Sequence, residues 1–238
     1  MHLGRGQGES LTDEFPYAEL VGSLLYLTVN TRPDLAHAAG VLSRFMSCAT
    51  QDHWKAAKRV LRYLAGSLDR GLVHRRGAPL IEAYTDSDYA GDPDSRKSTS
   101  GAVVLSHGGA VVWRSKLQSV VAASTCEAEY VAAAAAVKEV LWVRKLMGEM
   151  SGEMSRVRLY GDNQSALVLM QQHTPGAAGR TKYIDVAYHF VRHRVLQGNI
   201  EAVFVKTEDM KADMLTKAVP GPRQESGAAG MGLQMLWE

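Results

Sequence analysis

The chain has 238 residues and a mass of 25.9 kDa, with 46% hydrophobic and 22% charged residues. This composition is typical of a globular protein and excludes a chain that is disordered, collagen-like or coiled-coil throughout. The net charge of +2 is too small to indicate a nucleic-acid partner without a local charge cluster, and two distant cysteines exclude a disulfide framework. No apolar run reaches the roughly 20 residues of a membrane span, and the N-terminal sequence lacks a signal peptide's apolar core. We therefore expect an intracellular protein that is not secreted and has no membrane partner.

The first third of the chain has apolar residues at helical spacing. Residues 1–15 are polar and glycine-rich, and we expect a disordered tail there. From Tyr17 to Leu72 the spacing predicts three helices and no strands, so 16–78 is interpreted as a small all-helical segment. Four cations lie on the third helix: Lys55, Lys58, Arg59 and Arg62. They indicate either a solvated helix face or a contact with a nucleic-acid backbone.

After Pro79 the pattern changes to alternating and β-branched residues, which predict strands. We expect strands at 81–85, 101–106, 110–114 and 119–123, with a turn at His107–Gly109. Downstream we expect a helix from Thr125 to about Met147, a strand at 157–160, a helix from Asn163, a Gly-rich loop at 176–179, a helix at 183–196, a strand at 200–205 and a helix at 208–217. This order predicts an α/β fold with a mixed sheet and helices on its faces. Residues 221–238 are weakly patterned and are expected to form a weakly ordered tail.

Four acidic residues fall where this topology gathers side chains at one edge of the sheet. Asp86 ends the first strand, Glu129 lies in the first turns of the long helix, Asp162 closes the strand at 157–160, and Asp213 lies on the last helix. Clustered carboxylates repel one another unless a cation lies between them, and Mg²⁺ and Mn²⁺ prefer oxygen ligands. The pattern therefore favours a divalent metal site, and the lack of His or Cys at ligand spacing disfavours zinc.

Two glutamates at the start of the long helix have different predicted roles. Ser124 and Glu127 have the spacing of a capping box, which gives Glu127 a structural role. Glu129 heads an apolar line that must pack on the sheet, so it is predicted to point inward. Each acid also has a simpler interpretation, which stays open: Asp86 as a turn former, Asp162 as a helix N-cap, Asp213 as the partner of Lys217, and Glu129 as a solvated residue.

Long motifs in a fixed order carry a family resemblance: YTDSDYAGD, DSRKSTSG, VVWRSKLQSVVAASTCEAEYVA, LYGDNQSAL, RTKYIDVAYHFVR and TEDMKADMLTKA. They resemble the ribonuclease H domain of copia-type long-terminal-repeat retrotransposon Pol polyproteins, which 79–220 would form. The upstream string YAELVGSLLYLTVNTRPDLAHAAGVLSRFM is similar to the connection segment of the adjoining reverse transcriptase. The resemblance implies a ribonuclease H-like mixed five-stranded sheet, with three antiparallel strands followed by parallel strands. Matched residue by residue, the family's catalytic and metal-binding acids are Asp86, Glu129, Asp162 and Asp213.

The resemblance also implies a reaction and its partners. It implies hydrolysis of the RNA strand of an RNA/DNA hybrid during reverse transcription, with two Mg²⁺ ions or Mn²⁺ as a substitute. The implied partners are the hybrid and the reverse transcriptase part of the polyprotein, in a cytoplasmic particle or the nucleus. The paired aspartates of a polymerase active site are absent from this sequence, which disfavours polymerase activity. A related integrase is also disfavoured, because its active site ends in Glu and this chain has Asp213. The alternative is a catalytically silent nucleic-acid-binding remnant of a decayed element.

Contacts with the hybrid are expected through its backbone and 2′-hydroxyls, without sequence readout. The expected residues lie in four stretches: Arg96, Lys97, Ser98 and Thr99; Arg114 and Lys116; Asn163, Gln164 and Ser165; and Arg180, Lys182, His189, Arg192, His193 and Arg194. The last stretch is the most basic in the chain, which favours phosphate contact over a solvated face.

Overall fold

The computed structural model describes residues 3–4, 11, 15–152, 155–172 and 182–236. The helices in this part of the chain are α1 (Tyr17–Asn30), α2 (Ala36–Ser43), α3 (Gln51–Ala65), α4 (Thr125–Ser151), α5 (Gln164–Gln171), α6 (Lys182–Leu196) and α7 (Gly221–Gly230). The strands are β1 (Arg70–Leu72), β2 (Glu82–Asp88), β3 (Thr99–Ser106), β4 (Gly109–Leu117), β5 (Val157–Gly161), β6 (Ile200–Phe204) and β7 (Leu233–Met235). Short 3₁₀ helices occupy Pro33–Leu35, Thr207–Asp209 and Asp213–Leu215.

The main sheet has the strand order β4-β3-β2-β5-β6. Strands β2, β3 and β4 are antiparallel neighbours, whereas β5 pairs in parallel with both β2 and β6. The predicted turn between β3 and β4 is present, with positive φ angles of 51° at His107 and 78° at Gly108. The predicted mixed five-stranded sheet, antiparallel and then parallel, is therefore confirmed.

Helix α4 covers one face of the sheet, across β2 and β3. Its N-terminus is capped by Ser124, whose Oγ accepts a hydrogen bond of 3.2 Å from the backbone N–H of Glu127. The helix ends at Gly152, whose φ of 76° is the left-handed conformation that favours glycine. Small residues of α4 pack with the sheet and with α5 and α6 in one core, which includes Ala83, Val104, Ala133, Val140, Leu159 and Ile200. This apolar contact, with the cap, fixes where α4 begins relative to the strands.

The helical segment and the C-terminal segment contact the opposite face of the sheet. A second core joins residues of β2 and β3 to the C-terminal segment and to the start of α2: Tyr84, Val103, Leu105, Met214, Leu215, Met231, Leu233 and Ala36. Trp113 of β4 donates a hydrogen bond from its indole N–H to the backbone oxygen of Thr28. Strand β7 pairs antiparallel with β1, which links the C-terminus to the connection after α3. The helical segment is therefore packed directly on the sheet.

A buried polar network fastens the helical segment. Arg32 forms a two-pronged ion pair with Asp34, at 3.0 and 2.7 Å, and also donates to the backbone oxygen and hydroxyl of Ser67. Tyr63 donates to the same carboxylate at 2.8 Å. The network therefore joins α3 to the turn between α1 and α2. Both charges are buried, and each is compensated by the ion pair and by further hydrogen bonds.

Several sequence expectations differ from the structure. Residues 119–123 form no strand, because β4 is the sheet edge and no strand lies beyond it to pair with this segment. Residues 70–72 form the short strand β1, although no strand was predicted before residue 79. The predicted helix at 208–217 is replaced by two 3₁₀ turns, the second of which buries Asp213, Met214 and Leu215 against the sheet.

The described part of the C-terminal tail, 221–236, contains a helix and a strand, whereas a weakly ordered tail was expected. Residues 221–230 form α7 and 233–235 form β7, because Ala228, Met231 and Leu233 are buried in the second core. The predicted loop at 176–179 and nearly all of the predicted tail 1–15 lie outside the described residues. The predicted boundary at residue 79 stays a prediction. No helix in the described ranges is both long and apolar enough to span a membrane.

Candidate metal centre and nucleic-acid interface

Three carboxylates lie close together near the C-terminal ends of the central strands of the main sheet. Asp86 lies on β2, Glu129 lies in the second turn of α4, and Asp162 follows β5. One carboxylate oxygen from each residue lies within 4.8 Å of the others. Asp86 and Glu129 are buried, and Asp162 is partly exposed. Among the described residues this is the group of acids that could hold a metal ion.

The strand register explains why the two aspartates are neighbours. Tyr84 on β2 pairs with Tyr160 on the parallel strand β5. Asp86 and Asp162 each lie two residues further along, so their side chains reach the same end and the same side of the sheet. Glu129 joins them from α4, and its Oε1 accepts a hydrogen bond of 3.2 Å from the backbone N–H of Ser87. The inward orientation predicted for Glu129 is therefore present in the structure.

Burial and nearby negative charge disfavour the ionised forms of Glu129 and Asp86. Burial, followed by the nearby charges of Asp86 and Asp162, raises the pKa of Glu129 to about 9. Burial also raises the pKa of Asp86, against the lowering effects of the Thr216 hydroxyl and the Lys217 ammonium. A hard divalent cation would relieve this repulsion, and a set of carboxylate oxygens is the donor set that Mg²⁺ or Mn²⁺ prefers. The residues thus fit the predicted class of metal.

Asp213 lies beside this group but has cationic partners of its own. Its Oδ1 lies 2.5 Å from the Lys217 ammonium, and its Oδ2 lies 3.2 Å from Nε of Arg223. The same ammonium lies 3.9 Å from Oδ2 of Asp86. Burial lowers the pKa of Lys217, but Asp213 and Asp86 outweigh that effect and raise it overall. Lys217 therefore supplies positive charge between the two aspartates, and the i, i+4 pair considered from the sequence is present.

Several residues that shape the site were not predicted from the sequence. Thr216 donates a hydrogen bond of 2.5 Å to Oδ2 of Asp86, and Thr207 donates one of 2.7 Å to Oδ2 of Asp162. Gly101 pairs with Asp86 across β2 and β3, and a Cβ there would lie 2.6 Å from Cγ2 of Thr216. The signal for Thr216 was its place three residues after Asp213. No sequence signal pointed to Arg223, which lies in the tail expected to be weakly ordered.

The capping alternative for Asp162 is resolved by its neighbour. Asn163 is the N-cap of α5, and its Oδ1 accepts a hydrogen bond of 3.0 Å from the backbone N–H of Ala166. Asp162 therefore does not cap the helix and faces the other carboxylates. The predicted roles of Glu127 and Glu129 also separate. Glu127 accepts a hydrogen bond of 3.0 Å from the backbone N–H of Ala123 at the helix start. The predicted capping box would use the N–H of Ser124, so only its Ser124 half is present as predicted.

The predicted nucleic-acid contacts vary in exposure. Exposed side chains include Arg96, Lys116, Gln164, Ser165, His189 and His193, and half-buried ones include Lys97, Arg114, Asn163, Arg192 and Arg194. Arg180 and the side chain of Lys182 lie outside the described residues. Ser98 and Thr99 are buried, and the Ser98 hydroxyl accepts from the backbone N–H of Ala90. These last two side chains shape the loop after β2 and are not available to a ligand in this structure.

Comparison with known proteins gives relatives along most of the chain. No family model matches. The chain is 44% identical over 205 residues, 86% of its length, to the retrovirus-related Pol polyprotein from transposon TNT 1-94 of Nicotiana tabacum, of which the match covers 15%. It is 50% identical over 129 residues to secreted RxLR effector protein 161 of Plasmopara viticola, with 54% of this chain and 91% of that protein covered. A solved structure of LC11-RNase H1 in complex with RNA/DNA hybrid is 18% identical, with a TM-score of 0.42, and covers 57% of this chain and 93% of that one.

Proposed function

We propose that this chain, which belongs to the retrovirus-related Pol polyproteins of copia-type transposons, is a ribonuclease H that hydrolyses the RNA strand of RNA/DNA hybrids. The observation that carries the proposal is the convergence of Asp86, Glu129 and Asp162 within 4.8 Å on a ribonuclease H-like sheet. Buried carboxylates at this distance oppose folding unless a cation binds them, so their arrangement supports a role in metal binding.

The proposed mechanism assigns the four acids to divalent ions. Asp86, Glu129 and Asp162 would hold one ion, and Asp213 with Asp86 would contribute to a second. When bound, such ions supply an activated water and stabilise the oxygen that leaves the cleaved phosphodiester. The protein's own contribution is placement: Thr216 orients Asp86, Thr207 orients Asp162, and the backbone N–H of Ser87 orients Glu129.

Hybrid binding would use the sugar-phosphate backbone and 2′-hydroxyls. The polar side chains of Gln164 and Ser165 directly follow Asp162 and are exposed, and Lys116 is exposed at the end of β4. Contacts of this kind carry no sequence information, which suits an enzyme that degrades RNA of any sequence. We expect binding that depends strongly on salt and weakly on sequence.

The proposal is tested by cleavage of a hybrid with a labelled RNA strand, in Mg²⁺ and in EDTA. We expect cleavage in Mg²⁺ alone, no cleavage of an RNA or DNA duplex, and no activity for Asp86→Asn or Asp162→Asn. The matched control is Glu127→Gln, two residues before Glu129 on the same helix. It should lose about 1 kcal/mol of stability through the weakened helix start and keep its activity. Tight hybrid binding without cleavage would overturn the proposal and favour the silent binding module.

The partner and the location are also proposals. Tyr26 and Val29 on α1 are 70% and 75% exposed, and Leu68 after α3 is 70% exposed. Exposed apolar side chains of this kind support a protein partner, which we take to be the reverse transcriptase part of the polyprotein.

The proposed location is intracellular, in a cytoplasmic particle or the nucleus. Fractionation of cells that express the tagged polyprotein tests it.

A further inference from the structure

We propose that Arg223 is a positioning residue for the carboxylates, which fixes Asp213 directly and Asp162 through Thr207. The inference rests on the proposed function, because the carboxylates are taken to be the metal ligands. Arg223 lies near the start of α7, ten residues after Asp213 in sequence. It contributes no carboxylate and is not assigned any contact with the substrate.

The guanidinium of Arg223 binds three acceptors on one neighbouring segment. Its Nε lies 3.2 Å from Oδ2 of Asp213, and its Nη1 donates a hydrogen bond of 2.6 Å to the backbone oxygen of Glu208. Its Nη2 donates to the backbone oxygen of Thr207. A planar guanidinium has donors in a rigid fork, so one side chain fixes the distance between the Thr207–Asp209 turn and the Asp213–Leu215 turn.

The turn held by Arg223 also controls Asp162. The Thr207 hydroxyl donates a hydrogen bond of 2.7 Å to Oδ2 of Asp162. If the backbone of Thr207 moved, this hydrogen bond would lengthen and Asp162 would lose a fixed orientation. Two of the four acids, Asp162 and Asp213, are thus positioned by one guanidinium, although they lie far apart in the sequence.

Arg223 also determines which oxygen of Asp213 faces the other acids. Because Arg223 holds Oδ2, Oδ1 is the oxygen that contacts Lys217. The Lys217 ammonium also lies 3.9 Å from Asp86, so Oδ1 is directed toward Asp86. A cation shared by Asp86 and Asp213 would use this oxygen. Without Arg223, Asp213 keeps only its contact with Lys217 and loses the one that fixes Oδ2, so we expect the second ion to bind more weakly.

The attachment of α7 does not depend on Arg223. Ala228, Met231 and Leu233 are buried in the second core, and Gln224 donates a hydrogen bond of 2.9 Å to the backbone oxygen of Asp34. The Arg223 side chain itself is 26% exposed. Gln224→Ala therefore serves as a matched control, since it loosens the same helix without touching an acid.

The experiment titrates the full chain with Mn²⁺ alone, by calorimetry and electron paramagnetic resonance, for wild type, Arg223→Ala, Arg223→Lys and Gln224→Ala. We expect two ions on wild type and on Gln224→Ala. For Arg223→Ala we expect about 10- to 100-fold weaker binding of the second ion, as for other residues that orient metal ligands, and unchanged binding of the first. The value of kcat should fall with it, while KM for the hybrid stays unchanged.

Two further measurements separate charge from geometry. Arg223→Lys should stay impaired, because an ammonium cannot bind three acceptors in a fork. Millimolar guanidinium should restore Mn²⁺ binding to Arg223→Ala, while the same concentration of sodium chloride should not. Wild-type binding of both ions by Arg223→Ala, or an equal loss in Gln224→Ala, would overturn the inference and leave the proposed function standing. A wild-type chain that binds no Mn²⁺ and cleaves no hybrid would overturn both.

Discussion

The ionisation of Asp86 is influenced by opposing contacts within the site. Its carboxylate is buried beside Glu129 and Asp162, which disfavours ionisation, and it is contacted by Thr216 and Lys217, which favour it. Burial dominates, so the ionised site is costly for the folded chain without a cation. Mutations that remove one of these charges should therefore stabilise the metal-free chain and weaken metal binding.

The pH dependence of stability follows from Glu129. Its folded pKa of about 9 lies above the unfolded value of about 4.5, so the folded state binds more protons between these pH values. Stability in EDTA should therefore fall as pH rises through this range. Glu129→Gln removes the part of this dependence that Glu129 contributes and should stabilise the metal-free chain at pH 8 by about 1–3 kcal/mol. Urea unfolding at pH 5 and pH 8 measures it. Equal slopes for wild type and variant would contradict the raised pKa.

Gly101 is predicted to be essential for the contact between Thr216 and Asp86. A Cβ at Gly101 would lie 2.6 Å from Cγ2 of Thr216 and 2.9 Å from the backbone oxygen of Ala212. Gly101→Ala should therefore displace the turn that bears Thr216, with a cost of about 1–3 kcal/mol and weaker Mn²⁺ binding. Gly22→Ala on α1 is the control, because an added Cβ there would meet no atom of another element within 4 Å. This variant should be neutral or slightly stabilising. Unfolding curves and Mn²⁺ titrations check both variants.

At the scale of elements, the 3₁₀ turns between β6 and α7 matter more than a regular helix would. They bring Thr207, Asp213 and Thr216 to the carboxylates within ten residues of chain. A continuous helix over 208–217 would space its side chains on a fixed 3.6-residue period. The irregular backbone instead buries Met214 and Leu215 in the core while Asp213 reaches the site.

Helix α6 is the element predicted to carry part of hybrid binding. Arg192 and Arg194 are half-buried, and the guanidinium of Arg194 lies 5.6 Å from the Phe190 ring centre. Arg192→Ala combined with Arg194→Ala should reduce the slope of log affinity against log salt by about 1–2. The control is Arg144→Ala with Lys145→Ala, which removes the same charge from α4 about 22 Å along the helix from Glu129. Equal slopes for both double variants would assign α6 to solvated surface.

The C-terminal segment and the helical segment both contact the sheet and link the parts of the molecule. The C-terminal segment crosses from the sheet to the helical segment: β7 pairs with β1, Gln224 binds Asp34, and the backbone N–H of Leu236 donates to Asp69. On the other side, Arg44 of the segment after α2 forms an ion pair of 2.9 Å with Asp92 in the loop after β2. The helical segment and the sheet therefore stabilise each other.

A chain that ends at residue 220 should be substantially less stable than the full chain. The truncation removes Met231 and Leu233, which are buried, and the pairing partner of β1. Loss of these side chains should cost about 3–6 kcal/mol, because each buried large apolar side chain contributes about 1.5–3 kcal/mol. It also removes Arg223. Thermal unfolding checks the prediction, with a chain ending at Leu236 as the control. Equal melting temperatures would show that the tail is dispensable.

Local sequence patterns predict the strands and helices between residue 80 and β6, apart from 119–123, as well as the capped start of α4 and the inward orientation of Glu129. These features follow from local periodicity and from capping residues adjacent in sequence, which do not depend on distant parts of the chain. Only the tertiary structure decided that 119–123 stays unpaired, that 208–217 is not a helix, and that α7 brings Arg223 to Asp213. A strand needs a neighbour, an irregular turn needs a core to pack against, and an ion pair between elements needs both in place, so none of these can be inferred from local pattern.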